Sequence, residues 1–85
     1  MYKMYRSRTE IIAQILRITN GRQVNKTWLM YRTFLSYKQL KNYISILIEN
    51  GLLEYQSGEA KYTTTEKGIR FLKLYEKMKE MTEEM

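Results

Sequence analysis

Asn25-Lys26-Thr27-Trp28-Leu29-Met30-Tyr31-Arg32-Thr33-Phe34-Leu35-Ser36-Tyr37-Lys38-Gln39-Leu40 is the stretch on which the fold turns. Asn25 can cap a short helix, because its side-chain oxygen accepts from an amide that the first turn leaves without a partner. Lys26 to about Thr33 then makes roughly two turns, with Leu29 and Met30 facing inward. Ser36-Tyr37-Lys38-Gln39 has the form of a capping box, in which the Ser hydroxyl accepts from the third helical amide and the Gln side chain reaches back. The earlier helix must therefore end, and the next begin, across a tight turn at Phe34-Leu35. That spacing predicts a helix-turn-helix.

Upstream, Ser7-Arg8-Thr9-Glu10 repeats the capping box, and Ile11, Ile12, Ile15 and Leu16 follow at helical spacing until Asn20-Gly21 supplies a left-handed stop. Downstream, the helix that opens at Tyr37 is expected to bury Leu40, Ile44, Leu47 and Ile48 and to end at Asn50-Gly51. Leu52 to Gln56 reads as a strand, Ser57-Gly58-Glu59 as a turn and Lys61 to Thr64 as a returning strand, rich in β-branched and aromatic residues. Thr65 can cap a last helix from Glu66 to near the C-terminus, roughly 30 Å long if all of it is helical. The predicted class is mainly α with a β-hairpin wing: a winged helix-turn-helix over residues 1–65 and one further helix over 66–85, in one compact unit.

Composition removes whole classes of chemistry. Eighty-five residues hold one small core. The chain has no Cys, His or Asp, so zinc sites, disulfides, thiolate nucleophiles and the commonest general base are all missing. The glutamates fall on solvated faces and in turns, with no arrangement resembling a catalytic pair, and neither an enzyme nor a cofactor is expected. No run approaches the roughly 18 apolar residues of a membrane span. Met1 to Arg8 is basic and leads into a helix carrying Gln14 and Arg17 in place of an apolar signal segment, so the expectation is a cytoplasmic protein.

Charge is polarised along the chain. Residues 1–45 carry nine Lys and Arg against the single Glu10, a net of +8, whereas residues 46–85 carry six basic and eight acidic residues, a net of −2. A concentrated basic half is the electrostatic footprint of a polyanion-binding protein, since neutralised phosphates release condensed counterions. Duplex DNA is the expected partner.

Arg6-Ser7-Arg8-Thr9-Glu10-Ile11-Ile12-Ala13, Leu29-Met30-Tyr31-Arg32 through Leu35-Ser36-Tyr37-Lys38-Gln39-Leu40, Asn50-Gly51-Leu52 and Tyr62-Thr63-Thr64-Thr65-Glu66-Lys67-Gly68 together resemble the archaeal winged-helix DNA-binding family. That family supplies small chromatin-type proteins and transcription regulators. The resemblance covers nearly the whole chain, and it implies dimerisation through the last helix, packed antiparallel against its partner as a short coiled coil. Phe34 departs from the pattern, at a turn position more often small or polar in similar sequences.

Within a helix-turn-helix the start of the second helix meets base edges, which selects Ser36, Tyr37, Lys38, Lys41 and Asn42. Lys can donate to guanine O6 and N7, and Asn can pair with adenine N6 and N7. Gln39 could read adenine, but its place in the capping box gives it a more ordinary task. Lys26 and Thr27, which open the preceding helix, are counted with them as DNA contacts. Arg6 and Arg8 lie where basic charge opposes the helix dipole, which a phosphate contact would explain. Lys61 is the hairpin's one basic residue; with Glu59 beside it, the wing is either an auxiliary contact or a plain surface turn. Tyr31, Tyr37, Tyr43 and Trp28 are read as core and rim packing, in preference to a platform for single strands.

The last helix carries two apolar stripes. Phe71, Leu74, Met78, Met81 and Met85 are spaced as the a/d seam of a coiled coil over two heptads, and Gly68, Leu72 and Tyr75 are available to pack on the domain itself. Two faces imply two partners, the second most simply an identical helix in a homodimer. The expected function is a duplex-DNA-binding transcription regulator, associated with the nucleoid. Its rivals are a low-specificity architectural protein and a protein-interaction winged helix.

Overall fold

The computed structural model describes residues 6–83. Its elements run α1 (Arg8–Ile18), β1 (Val24–Asn25), α2 (Lys26–Thr33), α3 (Tyr37–Glu49), β2 (Leu53–Gln56), β3 (Lys61–Thr64) and α4 (Glu66–Glu83). The expected mainly helical winged helix-turn-helix with one added C-terminal helix is what forms.

Local chemistry sets the boundaries. Ser7 Oγ accepts from Glu10 N at 3.0 Å while Ser7 N donates to the Glu10 carboxylate at 2.7 Å. Ser36 and Gln39 repeat both bonds at 3.1 and 3.0 Å. Asn25 Oδ1 accepts from Trp28 N at 2.8 Å, and Thr65 Oγ1 from Gly68 N at 3.0 Å. α3 stops through Gly51, at φ 72°: Gly51 N donates to Ile48 O and Leu52 N to Leu47 O, at 3.0 and 2.9 Å. Those two bonds satisfy carbonyls that the last turn would otherwise leave orphaned. The chain therefore leaves α3 in a fixed direction, straight into the wing.

Helix α2 ends less comfortably. Phe34 takes the left-handed conformation at φ 59°, its amide donating to Met30 O at 2.9 Å, and its ring is 84% exposed. A non-glycine residue there costs of order 1 kcal/mol, so the departure seen in the sequence is a strained turn within an otherwise regular fold.

The core is one cluster fed by every element but α4, whose Phe71 packs against it. Ile11, Ile15 and Leu16 of α1 meet Leu29, Leu40, Ile44 and Leu47 of α2 and α3, closed by Leu35, Val24, Leu53 and Tyr62. Each such aliphatic side chain contributes about 1.5–3 kcal/mol on burial. The sheet has strand order β1-β3-β2, with β3 antiparallel to both neighbours. β1, which no sequence pattern marks as a strand, pairs Val24 with Tyr62 and Asn25 with Lys61. Its Val24 side chain is only 4% exposed, and this burial holds a strand too short to show alternation. Thr64 ties the sheet to α1: its hydroxyl lies 2.6 Å from that of Thr19 and 2.8 Å from Leu16 O, and its amide donates to Thr19 O. Among the described residues no buried side-chain polar atom lacks a partner.

Three expectations need correction. Ile48, expected in the core, is 40% exposed, because the wing diverges from the end of α3 and nothing covers that side. β2 starts at Leu53; Leu52 is spent closing α3. Phe71, expected on the dimer seam, is half-buried and packs against the core, since α4 docks along Gly68, Leu72 and Tyr75 and brings its neighbour Phe71 with it. Leu74, Met78 and Met81 are 62–64% exposed. Met85 lies outside the described residues. α4 is also joined to α1 by Arg17, whose guanidinium donates twice to Glu76.

Candidate nucleic-acid interface

Two helix starts come together on one surface. Lys26, the first residue of α2, sets its ammonium 5.0 Å from the centre of the Tyr37 ring, the first residue of α3. Such a cation–π contact is worth about 0.5–1 kcal/mol where exposed. Neither helix has an acidic residue in its first turn, although an acid there would balance the positive end of the helix dipole. Both positive ends are therefore left uncompensated, which is the condition under which a helix start attracts phosphate.

Downstream of that pair, α3 presents Lys38, Lys41, Asn42 and Ser45, all exposed, and its first acidic residue is Glu49 at the far end. Thr27, Ser36 and Tyr37 are exposed beside them. A groove of about 500 Å³ runs from here towards the wing, lined by Lys26, Lys41, Ser45, Ile48, Tyr55 and Tyr62 among others. Its lining is largely apolar, with Lys26 and Lys41 against the one carboxylate of Glu49, so its charge is net cationic at the end nearest the helix starts. Tyr55 and Tyr62 stack with ring centres 4.9 Å apart. Burial pushes the Tyr62 hydroxyl above its ordinary 10.0, so that ring stays neutral at physiological pH.

The winged helix-turn-helix family matches residues 5–83. The chain belongs to this family. Two uncharacterised proteins of the archaeon Methanocaldococcus jannaschii are similar to it. One is 33% identical over 73 residues, which is 86% of this chain and 34% of the relative. The other is 35% identical over 80 residues, 94% of this chain and 77% of the relative. The chain thus spans about a third of the length of the first of these relatives. The resemblance to an archaeal winged-helix family is borne out.

In this winged helix-turn-helix domain the remaining sequence-derived candidates separate. Arg8 is exposed in the first turn of α1. Arg6 sits just outside that helix, where one guanidinium nitrogen donates to Gln14 Oε1 at 2.8 Å and to Thr33 O at 2.6 Å. Its charge thus lies at the negative end of α2, a favourable placement that explains the residue without a phosphate. Lys61 is half-buried beside Gln23, Asn25 and Trp28, on the β1 side of the sheet. The wing's turn, Ser57 to Ala60, exposes Glu59 and no cation.

Sequence reading missed two features of the domain. Ile48 and Tyr55 face the groove, although the periodicity that found α3 counts Ile48 as core. Arg17, Arg22 and Arg32 line one cleft with Ile18 and Asn20. They come from the end of α1, the following turn and the end of α2, so no local spacing connects them.

Proposed function

We propose that this winged helix-turn-helix protein binds duplex DNA with the start of α3 in the major groove, and regulates transcription by occupying its site as a homodimer. The observation that carries this reading is the surface on which two uncompensated helix starts meet Lys26, Lys38, Lys41 and Asn42. Phosphates are drawn to the helix ends and Lys26, while Lys41 and Asn42 are chemically suited to base edges. No step of this work calls for catalysis or a cofactor, and it places the protein on nucleoid DNA in the cytoplasm.

The test separates base contacts from backbone contacts. On a duplex obtained by binding-site selection, Lys41→Ala or Asn42→Ala is expected to cost about 1–3 kcal/mol and to flatten discrimination against random duplex. Arg8→Ala should weaken all sequences alike. Equal losses on selected and random DNA for all three variants refute α3 as the reading element. A wild-type affinity ratio near one at matched salt would make the protein architectural.

Residues 1–65 are, on this reading, the DNA-binding unit and residues 66–85 the dimerising helix. Leu74, Met78 and Met81 support the division: they are spaced 4 and 3 apart on the exposed side of α4, opposite the stripe that docks on the domain. Leu74→Glu or Met78→Glu should place charge in the seam and give folded monomers with weak half-site binding. Sedimentation equilibrium checks this, and a one-chain mass for the wild type at tens of micromolar, or an unchanged mass in both variants, removes α4 as the interface.

A further inference from the structure

The cleft lined by Arg17, Ile18, Asn20, Arg22 and Arg32 receives nothing from α3. Lys26, which faces Tyr37 of α3, and Trp28 stand two positions apart, about 200° around α2, and Arg32 follows Trp28 by one turn. The guanidinium of Arg32 lies over the Trp28 indole, 5.4 Å from its centre. Arg32 itself stands six positions from Lys26, about 120° around α2 and about 9 Å along it, so this basic cleft lies at the other end of α2 from the surface that carries α3.

Its three cations are not equivalent. Arg17 is held by Glu76, the one ion pair among the described residues, so Arg22 and Arg32 carry the cleft's unbalanced charge. The cation–π contact restrains Arg32 beside Trp28, and a guanidinium is the cation that can take two oxygens of one phosphate. The same contact occupies a face of Trp28 that a nucleobase would need, which favours a phosphate backbone over a stacked single strand.

We infer that this cleft is a second phosphate-backbone site, which engages a DNA segment other than the one on α3. The inference rests on the DNA-binding reading above and adds to it a second duplex per chain. Trp28, the chain's one tryptophan, reports on the cleft through its contact with Arg32.

In the experiment the full chain is titrated at low salt with a short duplex, following duplex anisotropy and Trp28 emission together. The expected result is two events: anisotropy reaches a first plateau near one duplex per dimer, and Trp28 responds at higher duplex concentration. Lys38→Gln with Lys41→Gln should abolish the first event and preserve the second. Arg22→Gln with Arg32→Gln should preserve the first and weaken the second at least tenfold, lowering its log–log salt slope by about 0.9 for each cation removed. Arg22→Gln alone, which leaves the Arg32–Trp28 pair intact, should show a smaller loss in the same direction. Lys73→Gln with Lys77→Gln, an equal loss of charge on α4, should change the second event little.

A Trp28 response that saturates with the first event and vanishes with the α3 variant overturns the inference, because the cleft then belongs to a single footprint. So does duplex binding with silent Trp28, or a loss in the α4 control equal to that in the cleft variant. Absence of any duplex binding at low salt instead removes the DNA-binding reading itself.

Discussion

Raising salt from about 50 to 200 mM is expected to lower duplex affinity by roughly 10³ to 10⁵. The basis is countable. Lys26, Lys38 and Lys41 flank the starts of α2 and α3, Arg8 is exposed in the first turn of α1, and none of the four is in an ion pair with a described residue. A dimer would present each of them twice, on the order of eight phosphates neutralised, and each released counterion adds about −0.9 to the slope of log affinity against log salt. A monomer would show about half that slope, so the same titration also bears on assembly. Lys26 is half-buried against Tyr37 and held in place, and its loss should reduce the slope by close to one contact per chain, two in the dimer. Anisotropy over a salt series measures the slope. Binding that ignores salt, or that fails on every duplex at low salt, would sink the electrostatic argument.

Gly68→Ala should be the most damaging conservative change in the protein. Gly68 is buried where α4 crosses the end of α3, and an added methyl would collide with the Leu52 carbonyl oxygen and lie 2.6 Å from Thr64 Cγ2. Neither neighbour can yield cheaply. Leu52 is fixed by its amide bond to Leu47 O and by accepting from Thr65 N, and Thr64 is fixed by its contacts to Thr19 and Leu16. Overpacking of this kind costs about 1–3 kcal/mol. Alanine's better helix propensity would return up to about 1 kcal/mol in an exposed helix, so a mild stabilisation is the naive expectation. The collision should win, lowering Tm by about 4–8 °C per kcal/mol in a domain this small. Thermal unfolding followed by circular dichroism decides between them, and a Tm equal to or above the wild type would show that α4 can lift off Leu52 at no cost.

What the sequence revealed of this fold was its punctuation. Ser7, Asn25, Ser36 and Thr65 cap helices through bonds between residues three apart, so the signal for each is contained in four letters. Gly21 and Gly51 mark stops for the same local reason, at φ 76° and 72°. β1 was hidden because two residues cannot alternate; it exists only because Val24 reaches the core and β3 offers an edge. Ile48 and Phe71 were misplaced for one shared reason: periodicity identifies which face a residue is on, but not where the neighbouring element ends. The basic half of the chain was legible as charge. Its division into an α3 surface and the Arg17, Arg22 and Arg32 cleft was not, because distance through the fold leaves no trace in spacing along the chain.

The burial of Tyr62 has a consequence for alignment. Along β3, Tyr62 and Thr64 point inward while Lys61 and Thr63 are only half-covered. A slip of one residue would turn Lys61 and Thr63 towards α1 and put the Tyr62 ring in water. Short strands resist such slippage poorly, and β3 has four residues with partners of four and two. Tyr62 supplies what length does not: a slip that turned Thr63 to the Thr64 step would still offer Thr19 and Leu16 O a hydroxyl, but it would set Lys61 where the core holds the Tyr62 ring. An ammonium buried there without a partner is far more costly than a lost hydroxyl bond. The ring thus works as a gauge. It fixes, in steps of about 3.3 Å, how far the wing projects beyond α3, and so where along a bound duplex the two can act together.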